Sequence, residues 1–209
     1  MKRKRKLWTL NSVPGKKTTF DRTEKFEGQE YREWDPRRSK YAAAIVQRLK
    51  NEALKQDSTV LYLGASHGYT VSFFSDICSK GILYALDFAP RVMRDLVYVC
   101  IDRKNIIPIL GDASKPETYF HKCGSCDIVY MDIAQKDQAK IFLDNVQLFL
   151  RKGGIGFLAL KAKSVDVTAK PEKIYKQVED KLRNEVRILE KIKLDPFQKD
   201  HCMFVIQKS

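Results

Sequence analysis

Five short runs of consecutive apolar residues, 60–63, 82–86, 106–110, 128–131 and 155–160, recur along the chain without the polar alternation of a half-solvated strand. Strands that are apolar on both faces are covered on both faces, which is the condition of a parallel sheet between helical layers. The segments between them carry apolar residues at helical spacing and predict helices over 71–78, 91–103 and 138–150. A further helix is predicted over 39–55, where Ala42, Ala43, Ile45, Val46 and Leu49 share one face, and another over 171–184. The stretches 187–194 and 202–207 follow each other with only a loop between them and predict an antiparallel pair that finishes the sheet. Before all this, residues 7–31 are polar and broken by Val13-Pro14-Gly15 and by Gly28, a pattern of short strands and turns. The expected architecture is therefore an α/β, doubly wound, Rossmann-like domain over 35–209, preceded by a basic arm and a small β-rich extension over 1–34.

In such sheets a ligand binds at the carboxyl ends of the strands. The first strand runs into Gly64-Ala65-Ser66-His67-Gly68, a glycine turn that hands over to a helix. Its G-x-x-x-G spacing matches a dinucleotide fingerprint poorly. The second strand, however, ends at Asp87, the third leads into Gly111-Asp112-Ala113, and the fourth ends at Asp132. An acid about twenty residues beyond the glycine turn is placed to bind ribose hydroxyls. A carboxylate at the next strand end can read an adenine amino group. A nucleoside site with no pyrophosphate cradle favours S-adenosylmethionine over NAD. Lys161 ends the fifth strand, His201 opens the last one, and Lys40 opens the helix after Asp35-Pro36-Arg37-Arg38-Ser39. Two lysines beside an aspartate couple their protonation and can hold or deprotonate a hydroxyl.

Charge narrows the class of partner. The 209 residues carry 39 Lys and Arg against 26 Asp and Glu, a formal charge of +13, which favours a polyanion. The opening MKRKRK is a charge run that reads as a solvated arm, with RNA contact as the sharper alternative. The five cysteines are irregularly spaced, and the lone Cys123-Gly-Ser-Cys126 lacks the second pair or the histidines a zinc site needs, so reduced thiols are expected. No apolar run reaches the length of a membrane span.

Several stretches, in order, carry a family resemblance: YREWDPRRSKYAAAI (31–45), VLYLGASHGYTVS (60–72), RDLV (94–97), NIIPILGDA (105–113), DIAQKDQA (132–139), LRKGG (150–154), KAKSVD (161–166) and KDH (199–201). Over these the chain closely resembles fibrillarin, the RNA ribose 2′-O-methyltransferase family of box C/D guide-RNA particles. The resemblance implies S-adenosylmethionine as methyl donor and a catalytic tetrad of Lys40, Asp132, Lys161 and His201. It also implies cofactor contacts from Gly64, Ala65, Thr70, Asp87, Phe88, Asp112, Ala113, Asp132 and Gln135, with no metal. Implied partners are box C/D guide RNA, substrate ribosomal and transfer RNA, a scaffold protein of the particle and a kink-turn-binding protein. The short form without a glycine- and arginine-rich tail is similar to archaeal members, which implies a cytoplasmic protein (nucleolar in a eukaryote). The chain departs from the family pattern at Ser66-His67-Gly68-Tyr69-Thr70, at Phe73, at Arg37 and at Asp87, where glutamate is usual. Two other readings stand beside this one: a stand-alone RNA or protein methyltransferase, and a non-catalytic assembly module whose cofactor loop has degenerated.

Overall fold

The computed structural model describes residues 6–16 and 22–209. All of the opening basic run except Lys6 lies outside the described residues. A three-stranded antiparallel sheet comes first, from β1 (Leu7–Leu10), β2 (Thr23–Phe26) and β3 (Gln29–Trp34), in the order β1-β3-β2. The rest is a seven-stranded sheet with helices on both faces. Its elements are α1 (Lys40–Val46), β4 (Thr59–Leu63), α2 (Tyr69–Ile77), β5 (Ile82–Asp87), α3 (Pro90–Asp102), β6 (Ile106–Leu110), β7 (Cys126–Met131), α4 (Gln138–Phe149), β8 (Leu150–Lys161), α5 (Ala162–Val165), α6 (Pro171–Arg183), β9 (Arg187–Lys193) and β10 (His201–Gln207). Strand order is β6-β5-β4-β7-β8-β10-β9. β4 through β8 are parallel; β10 slots between β8 and β9, antiparallel to both. Order reverses between β5-β4 and β7, which opens the crevice where α/β sheets bind ligands.

The continuous apolar runs now have their cause. Successive side chains of a strand point to opposite faces. Leu61, Leu63, Val129, Met131, Leu158 and Leu160 therefore pack into one core layer with α4 and α6. Their chain neighbours Val60, Tyr62, Ile128, Tyr130, Phe157 and Ala159 pack into the other, with α1, α2 and α3. Both faces are dry, so no polar alternation survives.

One predicted element is shorter than its periodicity. The 39–55 pattern forms a helix only over Lys40–Val46. Arg48 turns into the left-handed region at φ 71°, and the Leu49 amide closes back on the Ala44 carbonyl. The next two amides, Lys50 and Asn51, donate instead to the carboxylate of Glu190 on β9. A tertiary acceptor replaces the helix, and no local pattern announces it.

The N-terminal sheet is fastened to the larger one through a buried charge cluster. Asp76, on α2, accepts from the Arg32 guanidinium at 2.6 Å and the Arg103 guanidinium at 2.5 Å. It also accepts from the Ser12 amide at 2.9 Å and the Ser12 hydroxyl at 2.8 Å. The side chains of Arg32 and Asp76 have no solvent exposure. The Arg32 guanidinium lies over the Phe73 ring, 4.1 Å from its centroid, and Trp34 stacks on Phe73 and Tyr41 at 5.0 and 5.8 Å. β3 is thus held from both sides where it runs into the turn that carries Lys40.

Candidate active site

The turn between β3 and α1 sets the position of Lys40. Asp35 accepts the Arg37 amide on its side chain and the Arg38 and Ser39 amides on its carbonyl. Ser39 caps α1 by accepting from the Ala42 amide. Lys40 is thereby the first residue of the helix, and its Nζ donates to Asp132 Oδ2 at 2.8 Å. Asp132 follows the end of β7, with its amide bonded to the Leu63 carbonyl at the end of β4. The pair is part-buried, about a fifth exposed on each side chain.

Lys161 and His201 are brought together by the sheet itself. They are direct partners in the β8–β10 register. Lys161 turns its N–H and C=O away from β10, toward Gln138. His201 turns its carbonyl toward Leu194, on the far side of β10. They therefore form a non-hydrogen-bonded pair, in which opposite side chains share a face with Cβ atoms about 4.5–5.5 Å apart. His201 Nδ1 lies 2.7 Å from the Lys199 carbonyl. A carbonyl only accepts, so Nδ1 carries the proton and Nε2 keeps its lone pair. Burial pushes the His201 pKa below its ordinary 6.5; the Lys199 contact opposes that, and the charges of Lys40, Asp132 and Lys161 all reach the ring. Four residues from four separate parts of the chain thus meet at one corner of the sheet.

An open cleft of about 1000 Å³ runs from the Lys40–Asp132 pair along the glycine turn, between α2 and α3. Tyr62, Gly64, Ala65, Thr70 and Tyr69 line it. Gly64 adopts φ +84°, and a Cβ there would come within 2.3 Å of the Asp132 carbonyl oxygen. Its missing side chain is what lets β4 and the Asp132 segment close on each other, a packing need of the sheet itself. Gly68, also at φ +84°, has α3 against it, and a Cβ there would meet the Val99 side chain at 3.0 Å.

The remaining predicted contacts sit at the neighbouring strand ends. Asp87, mostly buried, accepts the Ser66 amide at 2.8 Å and the Ala89 amide at 3.0 Å, one on each oxygen. Each oxygen retains a second lone pair, so the carboxylate both shapes the glycine turn and can still accept ribose hydroxyls. The amide and hydroxyl of Ser114 hold the Asp112 carboxyl below the usual range, with Gln135 as a further hydrogen-bonding neighbour. Ala113 is buried, while the Phe88 ring is 68% exposed at the same rim. An uncovered ring beside two acids suits a nucleoside: a flat face to stack on, acceptors for hydroxyl and amino groups. The donor set therefore fits S-adenosylmethionine. Asp87, Phe88, Asp112, Ala113, Gln135, Lys161 and His201 stand outside the 1000 Å³ cleft, which covers the Gly64 side of the crevice.

Sequence reasoning assigned no role to three residues here. Tyr62 closes the floor of the cleft; burial drives its phenol pKa far up, with Thr70 as a hydrogen-bonding neighbour. Arg38 lies over the Tyr69 ring at 4.3 Å on the cleft wall. Gln138 holds the Lys161 backbone. The departures from the family pattern have their own contacts: His67 Nδ1 pairs with Asp95 Oδ2 at 2.8 Å, and Arg37 with Asp35 at 3.2 Å, both on the surface. All five cysteines are free thiols, and burial raises Cys123 to about 11 and Cys126 to about 12.

The Fibrillarin family model matches residues 1–209. A fibrillarin-like rRNA/tRNA 2′-O-methyltransferase of Thermococcus onnurineus is 47% identical over 204 residues, 97% of this chain and 90% of that one. Aeropyrum pernix fibrillarin, solved with natively bound S-adenosyl-L-methionine, superposes with a TM-score of 0.90 at 44% identity, covering 96% of this chain and 88% of that one. Fibrillarin from a fibrillarin/Nop5p complex superposes with a TM-score of 0.84 at 39% identity, covering 88% and 87%. With the sheet order, the glycine turn and the Lys40–Asp132 corner already in place, these matches settle the family: the chain belongs to the fibrillarin family.

Proposed function

We propose that this chain is an S-adenosylmethionine-dependent RNA ribose 2′-O-methyltransferase that modifies ribosomal and transfer RNA as part of a box C/D particle. The observation that carries this reading is the convergence of Lys40, Asp132, Lys161 and His201 beside a nucleoside-sized crevice. A methyltransferase relative of similar length and a fibrillarin solved with the cofactor support it.

Gly64, Ala65 and Thr70 would line the cofactor's path, with Asp87 for its ribose, Phe88 for its base, and Asp112, Ala113 and Gln135 at its adenine edge. S-adenosylmethionine supplies an electrophilic methyl group. The chain's own task is to hold a ribose hydroxyl and take its proton. Lys40 occupies Asp132 Oδ2 and leaves Oδ1 to accept from that hydroxyl. The Lys161 ammonium, beside them, stabilises negative charge as it develops on the oxygen. The neutral His201 ring offers a lone pair on Nε2 to accept the proton. Positioning of the two reacting atoms supplies much of the rate.

The excess of positive charge serves a grip on phosphate, which positions RNA without reading its bases. Sequence choice then falls to a guide RNA. A scaffold protein is supported by the relative solved with Nop5p, and a kink-turn-binding protein completes the proposed particle. The test is reconstitution with guide RNA, both partner proteins and labelled S-adenosylmethionine, mapping the methyl on substrate RNA. Methyl at a guide-specified 2′-oxygen is the expected result. Methyl on protein, or on RNA without guide, refutes the reading.

A further inference from the structure

From the backbone at the end of β8 we infer that Gln138 is a positioning residue for methyl transfer, its side-chain amide standing in for a missing strand and aiming Lys161. The inference rests on the proposed function for its catalytic meaning. β7 pairs with β8 only as far as Met131 opposite Leu158; beyond that β7 has left the sheet toward Asp132. β8 runs on to Lys161. Its last residue therefore presents an N–H and a C=O to the side that β7 has vacated.

Gln138 takes both. Its Oε1 accepts the Lys161 N–H at 3.1 Å, and its Nε2 donates to the Lys161 carbonyl at 3.2 Å. This is the two-bond pattern that a neighbouring strand would supply, delivered by one primary amide. Gln138 is 1% exposed, so water does not compete for these bonds. It is also the first residue of α4, at the end of the short segment that begins with Asp132. One side chain thus couples the strand carrying Lys161 to the segment carrying Asp132. On the opposite edge His201 faces Lys161 without a backbone bond between the two. The following residue is held separately, by the Ala162 amide on the Asp200 carbonyl. The direction of the Lys161 side chain is fixed from the Gln138 side.

The chemistry of the amide makes a discriminating variant available. Gln138→Glu keeps the size and the acceptor for the Lys161 N–H but sets a carboxylate against the Lys161 carbonyl. Protonating that carboxyl restores a donor. The experiment measures single-turnover methyl transfer in the reconstituted particle across pH, cofactor affinity by calorimetry, and amide hydrogen exchange at Lys161, for wild type, Gln138→Glu and Gln138→Leu. Expected are a loss of about 10- to 100-fold in the single-turnover rate at pH 8 in both, as misplacement of a reacting group costs, and cofactor affinity within twofold of wild type. Lys161 amide exchange rises in Gln138→Leu, and the Gln138→Glu deficit narrows as pH falls while the Gln138→Leu deficit stays constant. Wild-type rates in Gln138→Leu with an exchanging Lys161 amide overturn the proposal. So do a pH-independent Gln138→Glu deficit and a loss of cofactor affinity that matches the loss of rate. If the wild-type particle transfers no methyl, the proposed function fails instead, and Lys161 exchange alone then decides whether Gln138 holds that backbone.

Discussion

Replacing Asp76 by asparagine keeps the side chain's size and removes its charge. The carboxylate bridges Arg32 and Arg103 at 2.6 and 2.5 Å and takes two more bonds from Ser12, with no solvent reaching the Arg32 or Asp76 side chains. Breaking a buried ion pair from one side costs about 3–5 kcal/mol, because the surviving charge has already lost its water. At about 2–4 °C per kcal/mol for a chain of this size, the melting temperature falls by about 6–20 °C. Arg32→Met is the internal comparison. It removes one cation and leaves Asp76 its bonds to Arg103 and Ser12, so its cost is smaller, about 1–3 kcal/mol. Thermal and urea unfolding of both variants measure the order. The effect also has a functional reach, since β3 delivers Lys40 through the Asp35 turn. Asp76→Asn should lose methyl transfer at temperatures where the fold still holds. A melting shift under 2 °C, or a larger loss in Arg32→Met than in Asp76→Asn, refutes the account of the cluster.

Lys161→Ala and Asp132→Ala each lower methyl transfer by about 10²–10⁴-fold, the usual worth of a group that moves or stabilises a proton, while calorimetry still detects S-adenosylmethionine; full activity in either sinks their assigned roles. Gly64→Ala forces a methyl to within 2.3 Å of the Asp132 carbonyl oxygen from a left-handed backbone, costing about 1–3 kcal/mol, and a normal melting temperature with normal activity contradicts that geometry. As pH falls, the unfolded chain protonates His201 first, because burial lowers the ring's pKa in the folded state. The stability it contributes is therefore intact above pH 6.5 and lost below it, and methyl transfer holds its plateau through 6.5 before declining. A ring that titrates above 6.5 by NMR overturns this.

Much of this molecule is written in local pattern. The five apolar runs became β4 to β8, because a strand buried on both faces has to be apolar at every position. The helices over α2, α3, α4 and α6 end within a residue or two of their periodicity. Asp87, Asp112 and Asp132 stand at strand ends as the chain order requires. The helix predicted over 39–55 was overdrawn, since Glu190, 140 residues from Lys50, claims the amides that would have continued it.

Local pattern carries the strands, the glycine turn and the candidate acids, because burial on both faces and a left-handed turn each constrain residues adjacent in the chain. The meeting of Lys40, Asp132, Lys161 and His201 required the folded sheet. It depends on where β7 stops and on β10 inserting beside β8, and no neighbouring residue encodes either. The same holds for Asp76 and Gln138, which read as ordinary polar residues of two helices. Each becomes structural only when a distant backbone or guanidinium is brought against it out of reach of water, where a polar group has to be met by protein.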